Sequence, residues 1–252
     1  DGDALGGGGI AINGGNVWMN DVNISNNLVG ENLYSLNGGG GILCGFSFNE
    51  ELLQFEINNS IIHNNTANIG AGIGALSGNL IIAKSLITNN TGDYGSAISL
   101  GEPLGLVINE IEMDIINSTI ANNSGVLGVA LINSAYMNSI NSIFWNNGDI
   151  DFSPLPNNDQ LNVFLNFSNS QQEMSGNGNI NSDPLFLDME SYDYNLTSQS
   201  PCIDAGTYDV NLDGIQDIFE FSGDLPDMGA FEFEHDECPE ITGDINEDGE
   251  VN

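Results

Sequence analysis

Two short blocks recur along this chain, and their spacing constrains the fold more than anything else in it. One is glycine-rich and ends in an aliphatic residue: GGGI at 7–10 and 39–42, GAGI at 70–73, GSAI at 95–98 and GVAL at 128–131. The other ends in paired asparagines: VNISNN at 22–27, SIIHNN at 60–65, SLITNN at 85–90, STIANN at 118–123 and SIFWNN at 142–147. Asn64 to Asn89 is 25 residues and Asn122 to Asn146 is 24, and the longer intervals hold insertions. A unit this short cannot bury its own apolar face, so it must stack on copies of itself. Strand-forming residues mixed with 32 Gly and 38 Asn give many short strands and tight turns. The expectation is an all-β solenoid of about 25-residue coils.

Aligning the coils gives columns. One reads Ile24, Ile62, Ile87, Ile120 and Phe144, and two residues on the next reads Asn26, Asn64, Asn89, Asn122 and Asn146. Strand alternation places both on the inward face. A buried amide needs partners, so these asparagines are expected to be structural, each bonding the coils above and below. In the glycine block the inward columns are Ile10, Ile42, Ile73, Ile98 and Leu131, then Ile12, Cys44, Ala75, Leu100 and Asn133. Cys44 is then a small buried hydrophobe, not a reactive thiol.

Over roughly residues 5–150 these columns resemble the right-handed parallel β-helix repeats of the pectate-lyase-like superfamily. That resemblance implies the fold but no single activity, because the superfamily includes lyases, hydrolases, adhesins and structural proteins. DPLF (183–186), YNL (194–196), SPCIDAG (200–206) and DMGAFE (227–232) resemble the closing segment of bacterial surface β-helix proteins. The resemblance implies a secreted or cell-surface protein whose closing segment ends the helix and covers its last coil. GDINEDGEVN (243–252) is similar to the start of a dockerin-type calcium loop, with Asp244, Asn246 and Asp248 at the ligand spacing but without the acidic ligand expected at loop position 12. The organisation expected is coils over 1–182, an acidic closing segment over 183–235, and a linker with an incomplete calcium loop over 236–252.

Charge narrows the partners. There are 36 acidic residues and one basic residue, Lys84, for a formal charge of −35. Such a field repels nucleic acid and anionic membrane surfaces, and no apolar run is long enough to span a bilayer. Residues 183–252 carry 20 of the acids. Among them Asp209, Asn211, Asp213, Gly214 and Asp217 form a DxNxDG pattern, a second candidate for Ca²⁺. Ca²⁺ is the one cofactor expected. Of the three cysteines, Cys202 and Cys238 both fall in the acidic tail, and with Cys44 in the core they are the pair available for a bridge.

Three function classes fit. The first is a non-catalytic extracellular module serving adhesion, glycan binding or spacing, stabilised by calcium. The second is a polysaccharide hydrolase or lyase. A lyase base would have to be Lys84, which shares a column with Asp21, Asn59, Asn117 and Asn141 and reads as an outward or turn residue. A hydrolase needs paired carboxylates. The column Trp18, Glu56, Ile81, Asp114, Asn138 offers Glu56 and Asp114 two coils apart, about 9–10 Å, with Trp18 as a flat face for a sugar. Insertions over 44–55 and 99–113 carry Glu50, Glu51, Glu102, Glu110 and Glu112 and are expected to wall a notch at the third coil, with Glu110 and Glu112 against the ligand. The third class is a subunit that self-associates through open coil ends.

Overall fold

In the computed structural model, which describes residues 8–29, 38–45, 53–101, 111–131, 135–154 and 162–234, the repeats stack into a parallel β-helix. Each coil gives one strand to each of three six-stranded sheets. Sheet A holds Ile10–Ile12, Ile42–Cys44, Ile73–Ala75, Tyr94–Leu100, Leu127–Leu131 and Ile150–Pro154. Sheet B holds Val17–Asn20, Gln54–Asn58, Gly78–Ala83, Ile111–Ile116, Tyr136–Ile140 and Val163–Asn166. Sheet C holds Asn23–Ser25, Ile61–His63, Leu86–Thr88, Thr119–Ala121, Ile143–Trp145 and Asn169–Ser170. Neighbours pair in parallel and in coil order, so like residues of successive repeats lie over one another. Ile24, Ile62, Ile87, Ile120 and Phe144 are in register in sheet C. The only helical element among the described residues is a 3₁₀ turn at Met189–Ser191, and no helix is long and apolar enough to cross a membrane.

The core is the stack of inward columns. Ile42, Ile73, Ile98 and Val129 of sheet A, Ile57, Ile82 and Ile115 of sheet B, and Ile62, Ile87, Ile120 and Phe144 of sheet C are all 0% exposed. Cys44 lies among them, and burial pushes its thiol up to about 12, as expected of a packing residue. In sheet A the fifth coil departs from the expected alignment. Val129, not Leu131, sits opposite Ile98, and Leu131 sits opposite Leu100. Between Tyr94 and Ile98 the strand takes four steps while its partner takes two, Leu127 to Val129, and two extra residues in one strand change which partner every later residue meets.

Two single-residue corners shape each coil. Between sheets B and C stand Asp21, Asn59, Lys84, Asn117, Asn141 and Phe167, all left-handed with φ of 45–55°. After sheet C stand Asn26, Asn64, Asn89, Asn122 and Asn146, with φ of 55–59°. Asn tolerates this conformation better than other side chains do. The second corner corrects the expected position of the asparagine stack. A left-handed residue bends the chain and resets strand alternation, so the first Asn of each pair turns toward the outside and the second turns in. Asn65 and Asn90 are 0% exposed, and Asn123 and Asn147 are 1%.

These second asparagines form a ladder with one direction. Nδ2 of Asn27 donates to Oδ1 of Asn65, Asn65 to Asn90, Asn90 to Asn123 and Asn123 to Asn147, at 2.7–3.0 Å. A chain of donors all pointing toward the last coil needs an acceptor at its end. Asp151 supplies it, its Oδ1 taking Asn147 Nδ2 at 3.2 Å. Burial pushes the Asp151 carboxyl up to about 6, against the N–H groups of Gln172, Asn147 and Gln171, which pull it down. At the other corner, Ser60, Ser85, Ser118 and Ser142 form a parallel ladder. Each hydroxyl accepts the backbone N–H of the coil before it at 3.1–3.2 Å.

The closing segment meets the last coil at Asn169, where Cys202 Sγ accepts from Nδ2, and also runs beyond it. That coil is closed by the residues just after it: Asn177 O accepts Phe167 N at 2.6 Å and Asn179 Oδ1 accepts Ser168 N at 3.1 Å. Residues 183–234 instead run back over the outside of sheet C. Tyr194, 1% exposed, packs on Leu86 and Ala121. Cys202, Leu196 and Met228 cluster with Ile143. The physical reason is that the outward positions of sheet C in coils 3–5 include Leu86, Ala121, Ile143 and Trp145, and water-exposed apolar surface is best covered. Polar contacts pin the strap: Asn89 Nδ2 donates to Tyr194 Oη at 2.9 Å and Ala230 N to Thr119 Oγ1 at 3.0 Å. Gly229, at φ +111°, passes where a Cβ would lie 2.9 Å from Ile143 Cδ1. Cys202 is buried and accepts from Asn169 Nδ2 at 3.2 Å; Cys238, its expected bridge partner, lies outside the described residues.

Candidate functional site

The strap covers sheet C, and the barrel interior is filled. Among the described residues, the outer face of sheet B is therefore a broad surface left in view. Its central column is in register across all six coils: Trp18, Glu56, Ile81, Asp114, Asn138, Phe164. Alternation puts these side chains outward because Phe55, Ile57, Leu80, Ile82, Met113, Ile115 and Met137 take the inward positions. Trp18, Ile81 and Phe164 are 61%, 38% and 53% exposed. Trp18 and Phe164 stand five strand steps apart, about 24 Å at the usual spacing. Flanking columns add Gln54, Asn79, Glu112 and Tyr136 on one side, and Asn58, Ala83, Ile116 and Ile140 on the other.

Glu56 and Asp114 are in this column, with Ile81 between them. Each is held by an amide. Asn58 Nδ2 donates to Glu56 Oε1 at 2.6 Å, and Asn138 Nδ2 donates to Asp114 Oδ1 at 3.0 Å. They lie on a flat sheet, two strand steps apart. Glu112 is exposed on the neighbouring column, opposite Asn79 and Tyr136. Glu110, with the insertions carrying Glu50, Glu51 and Glu102, lies outside the described residues, and so does the proposed notch they were expected to wall. Lys84 stands at the left-handed corner between sheets B and C, exposed, in a shallow groove of about 310 Å³ with Asp21, Asn59, Ile61 and Phe231. It is an ordinary corner residue, away from the central column.

The structure also builds a groove that the sequence did not point to. It has a volume of about 400 Å³ and joins the face of coils 4–6, at Asp114, Asn138, Phe164 and Asn166, to the tail at Val210, Asn211 and Leu212. The tail reaches this edge because Asn141 clasps it: Asn141 Nδ2 donates to Thr207 O at 2.7 Å and Thr207 N donates to Asn141 Oδ1 at 2.8 Å. Phe164 was recoverable in principle, since Asn138 to Phe164 is 26 residues, one repeat. The sixth coil reads NFSNS where the others have paired asparagines, which hides it.

The acidic turn after Thr207 is tightly tied to its own backbone. Asp209 accepts from Asp213 N at 3.1 Å and Gly214 N at 2.7 Å, Asn211 Oδ1 from Asp213 N at 3.0 Å, Asp213 Oδ1 from Ile215 N at 2.8 Å, and Asp217 Oδ2 from Val210 N at 2.9 Å. Among the described residues, no three His, Cys, Asp or Glu side chains are grouped as a metal ion needs. Asp244, Asn246 and Asp248 lie outside the described residues. Deeper in the strap, carboxylates also serve the backbone. Asp227, 0% exposed, accepts from Asp204 N at 2.8 Å and Phe233 N at 2.6 Å. Burial, then the Asp227 charge, push the Glu232 carboxyl up.

Among known proteins, the sequence matches no family model, and no curated protein is similar to it. The chain is similar to one solved structure, pectate lyase Pel9A, at 13% identity and a TM-score of 0.38, over 88% of this chain and 68% of that one. The fold assignment rests on the register: three parallel sheets, one strand from each coil in each, make this chain a parallel β-helix.

Proposed function

We propose that this chain is an extracellular β-helix module that binds glycans on the outer face of sheet B without cleaving them. One observation carries the reading: the register of Trp18, Glu56, Ile81, Asp114, Asn138 and Phe164 along the solenoid axis. Exposed aromatic rings offer flat faces for sugar rings, and side-chain amides and carboxylates match hydroxyl groups as donors and acceptors. The chain has one cation, off this face, so a neutral glycan suits it better than a uronate. The strand spacing repeats every ~4.8 Å, which gives an extended ligand a regular set of contacts.

The enzymatic reading uses the same residues. Glu56 and Asp114 are about 9–10 Å apart by strand spacing, near the upper end for an inverting pair. Their bonds to Asn58 and Asn138 suit fixed hydrogen-bond acceptors, because both amides donate to the carboxylates. Calcium belongs to the reading as a stabiliser: Asp209, Asn211, Asp213 and Asp217 supply the hard oxygen ligands it takes.

The experiment is a panel of neutral and uronate polysaccharides in affinity electrophoresis, with reducing-end release followed in the same samples. Retardation by neutral polymers without release is expected. Release that is lost in Glu56→Gln or Asp114→Asn would replace this reading with the hydrolase. Calorimetric titration of Ca²⁺ into chelator-treated protein tests the stabiliser: heat of binding with a rise in Tm supports it, and no heat removes calcium from the account.

A further inference from the structure

We infer that the groove between the tail turn and coils 4–6 is the specificity-determining end of the sheet-B face, built to hold a short neutral saccharide against Phe164. The inference rests on the glycan-binding reading above and places its ligand. The groove has an aromatic floor element, the Phe164 ring, 53% exposed at the last coil, with Ile116, Ile140, Val210 and Leu212 also in its lining. Around it stand polar atoms left free by their neighbours. Asp114 Oδ1 is occupied by Asn138 Nδ2, which leaves the second Asp114 oxygen and Asn138 Oδ1 as acceptors. Asn166 Oδ1 takes Asn177 N at 3.0 Å and Asn211 Oδ1 takes Asp213 N, which leaves both Nδ2 groups as donors. Two acceptors and two donors around one aromatic face match a sugar ring, whose hydroxyls both donate and accept while its C–H face is apolar.

The rest of the face has no such enclosure among the described residues. Trp18 at the opposite end is 61% exposed, more open than Phe164. At coils 4–6 the wall is fixed. The Thr207–Asn141 clasp anchors the turn at coil 5, and the bonds within the turn set the positions of Asn211 and Leu212. A volume of about 400 Å³ is within the usual size of small-ligand sites, about 300–1,000 Å³. Among the described residues, Asp114 is the one charged group lining the groove, and the chain as a whole carries −35. Uronates, phosphates and sulfated sugars are thereby disfavoured.

The test is calorimetric titration of the full chain with neutral oligosaccharides of the β-1,4-glucan, xylan, mannan and galactan types, beside oligogalacturonate. Wild type is compared with Phe164→Ala, Asn211→Ala and Trp18→Ala. The expected result is binding of a neutral oligosaccharide that weakens about tenfold or more in Phe164→Ala, about 1.4 kcal/mol, weakens in Asn211→Ala, and weakens less in Trp18→Ala than in Phe164→Ala. Both groove substitutions are at the surface, so circular dichroism should match wild type, and Asn211→Ala decides the matter if Phe164→Ala is poorly folded. Binding that survives both groove changes but falls in Trp18→Ala overturns the inference and leaves the glycan reading standing. Preference for oligogalacturonate overturns the ligand class. No binding by any oligosaccharide at millimolar concentration overturns the glycan reading itself.

Discussion

Replacing Asn90 by Ala should be among the most costly single changes in the molecule, whereas Asn64→Gly should cost little. Asn90 is 0% exposed. Its Oδ1 accepts from Asn65 N and Asn65 Nδ2, both at 3.0 Å, and its Nδ2 donates to Ile62 O at 3.0 Å and Asn123 Oδ1 at 2.9 Å. Asn123 Oδ1 keeps a second donor, Asn90 N. Truncation therefore strands one backbone N–H and one amide N–H in a dry corner, while Ile62 O stays within the sheet C ladder. At about 1–3 kcal/mol for each buried group left unpaired, the loss is about 2 kcal/mol at the least. Asn64 has a partly exposed side chain whose contacts are to His63 and Tyr192, and its φ of 55° suits Gly. That change should cost about 1 kcal/mol or less. Urea unfolding followed by circular dichroism, with m-values compared to check that the same transition is observed, measures both. Equal losses for the two variants, or a larger one for Asn64→Gly, would refute the placement of the ladder on the second asparagine of each pair.

Asp151 should give the protein an acid-side gain in stability. Its folded value near 6 lies above the ordinary carboxyl value of 3.8, so its contribution is fully present below 3.8 and is lost as pH rises through 6. The shift of about 2.2 units corresponds to about 3 kcal/mol, and the stability difference between wild type and Asp151→Asn should change by about that much across this window; a constant difference would argue against it. Tyr194→Ala removes the largest fully buried side chain of the strap and should cost about 3–5 kcal/mol, with limited proteolysis near residues 183–234 as the readout; unchanged protection would mean the strap is held elsewhere. Burial pushes the Cys44 and Cys202 thiols up to about 12 and about 11, so both should resist alkylation at pH 8 until the protein is unfolded, as peptide mass spectrometry would show.

The sequence by itself determined the architecture. The repeat interval, the aliphatic column of sheet C and the column Trp18–Glu56–Ile81–Asp114–Asn138 stand in register as read, because stacking identical units leaves only one way to bury their apolar faces. Two details could not be read by counting. A left-handed residue at each corner cancels the two-residue alternation, which moved the ladder from Asn64 and Asn89 to Asn65 and Asn90. A register shift in sheet A put Val129 where Leu131 was expected. What only the tertiary structure decided lies in contacts distant along the chain. The strap crosses sheet C, leaving sheet B open. The Asn141–Thr207 clasp, 66 residues apart, places Asn211 and Leu212 beside Phe164 and makes a groove from residues with no shared motif. Repeats specify what lies one coil away; a non-repeating tail docks wherever its apolar side chains find uncovered surface.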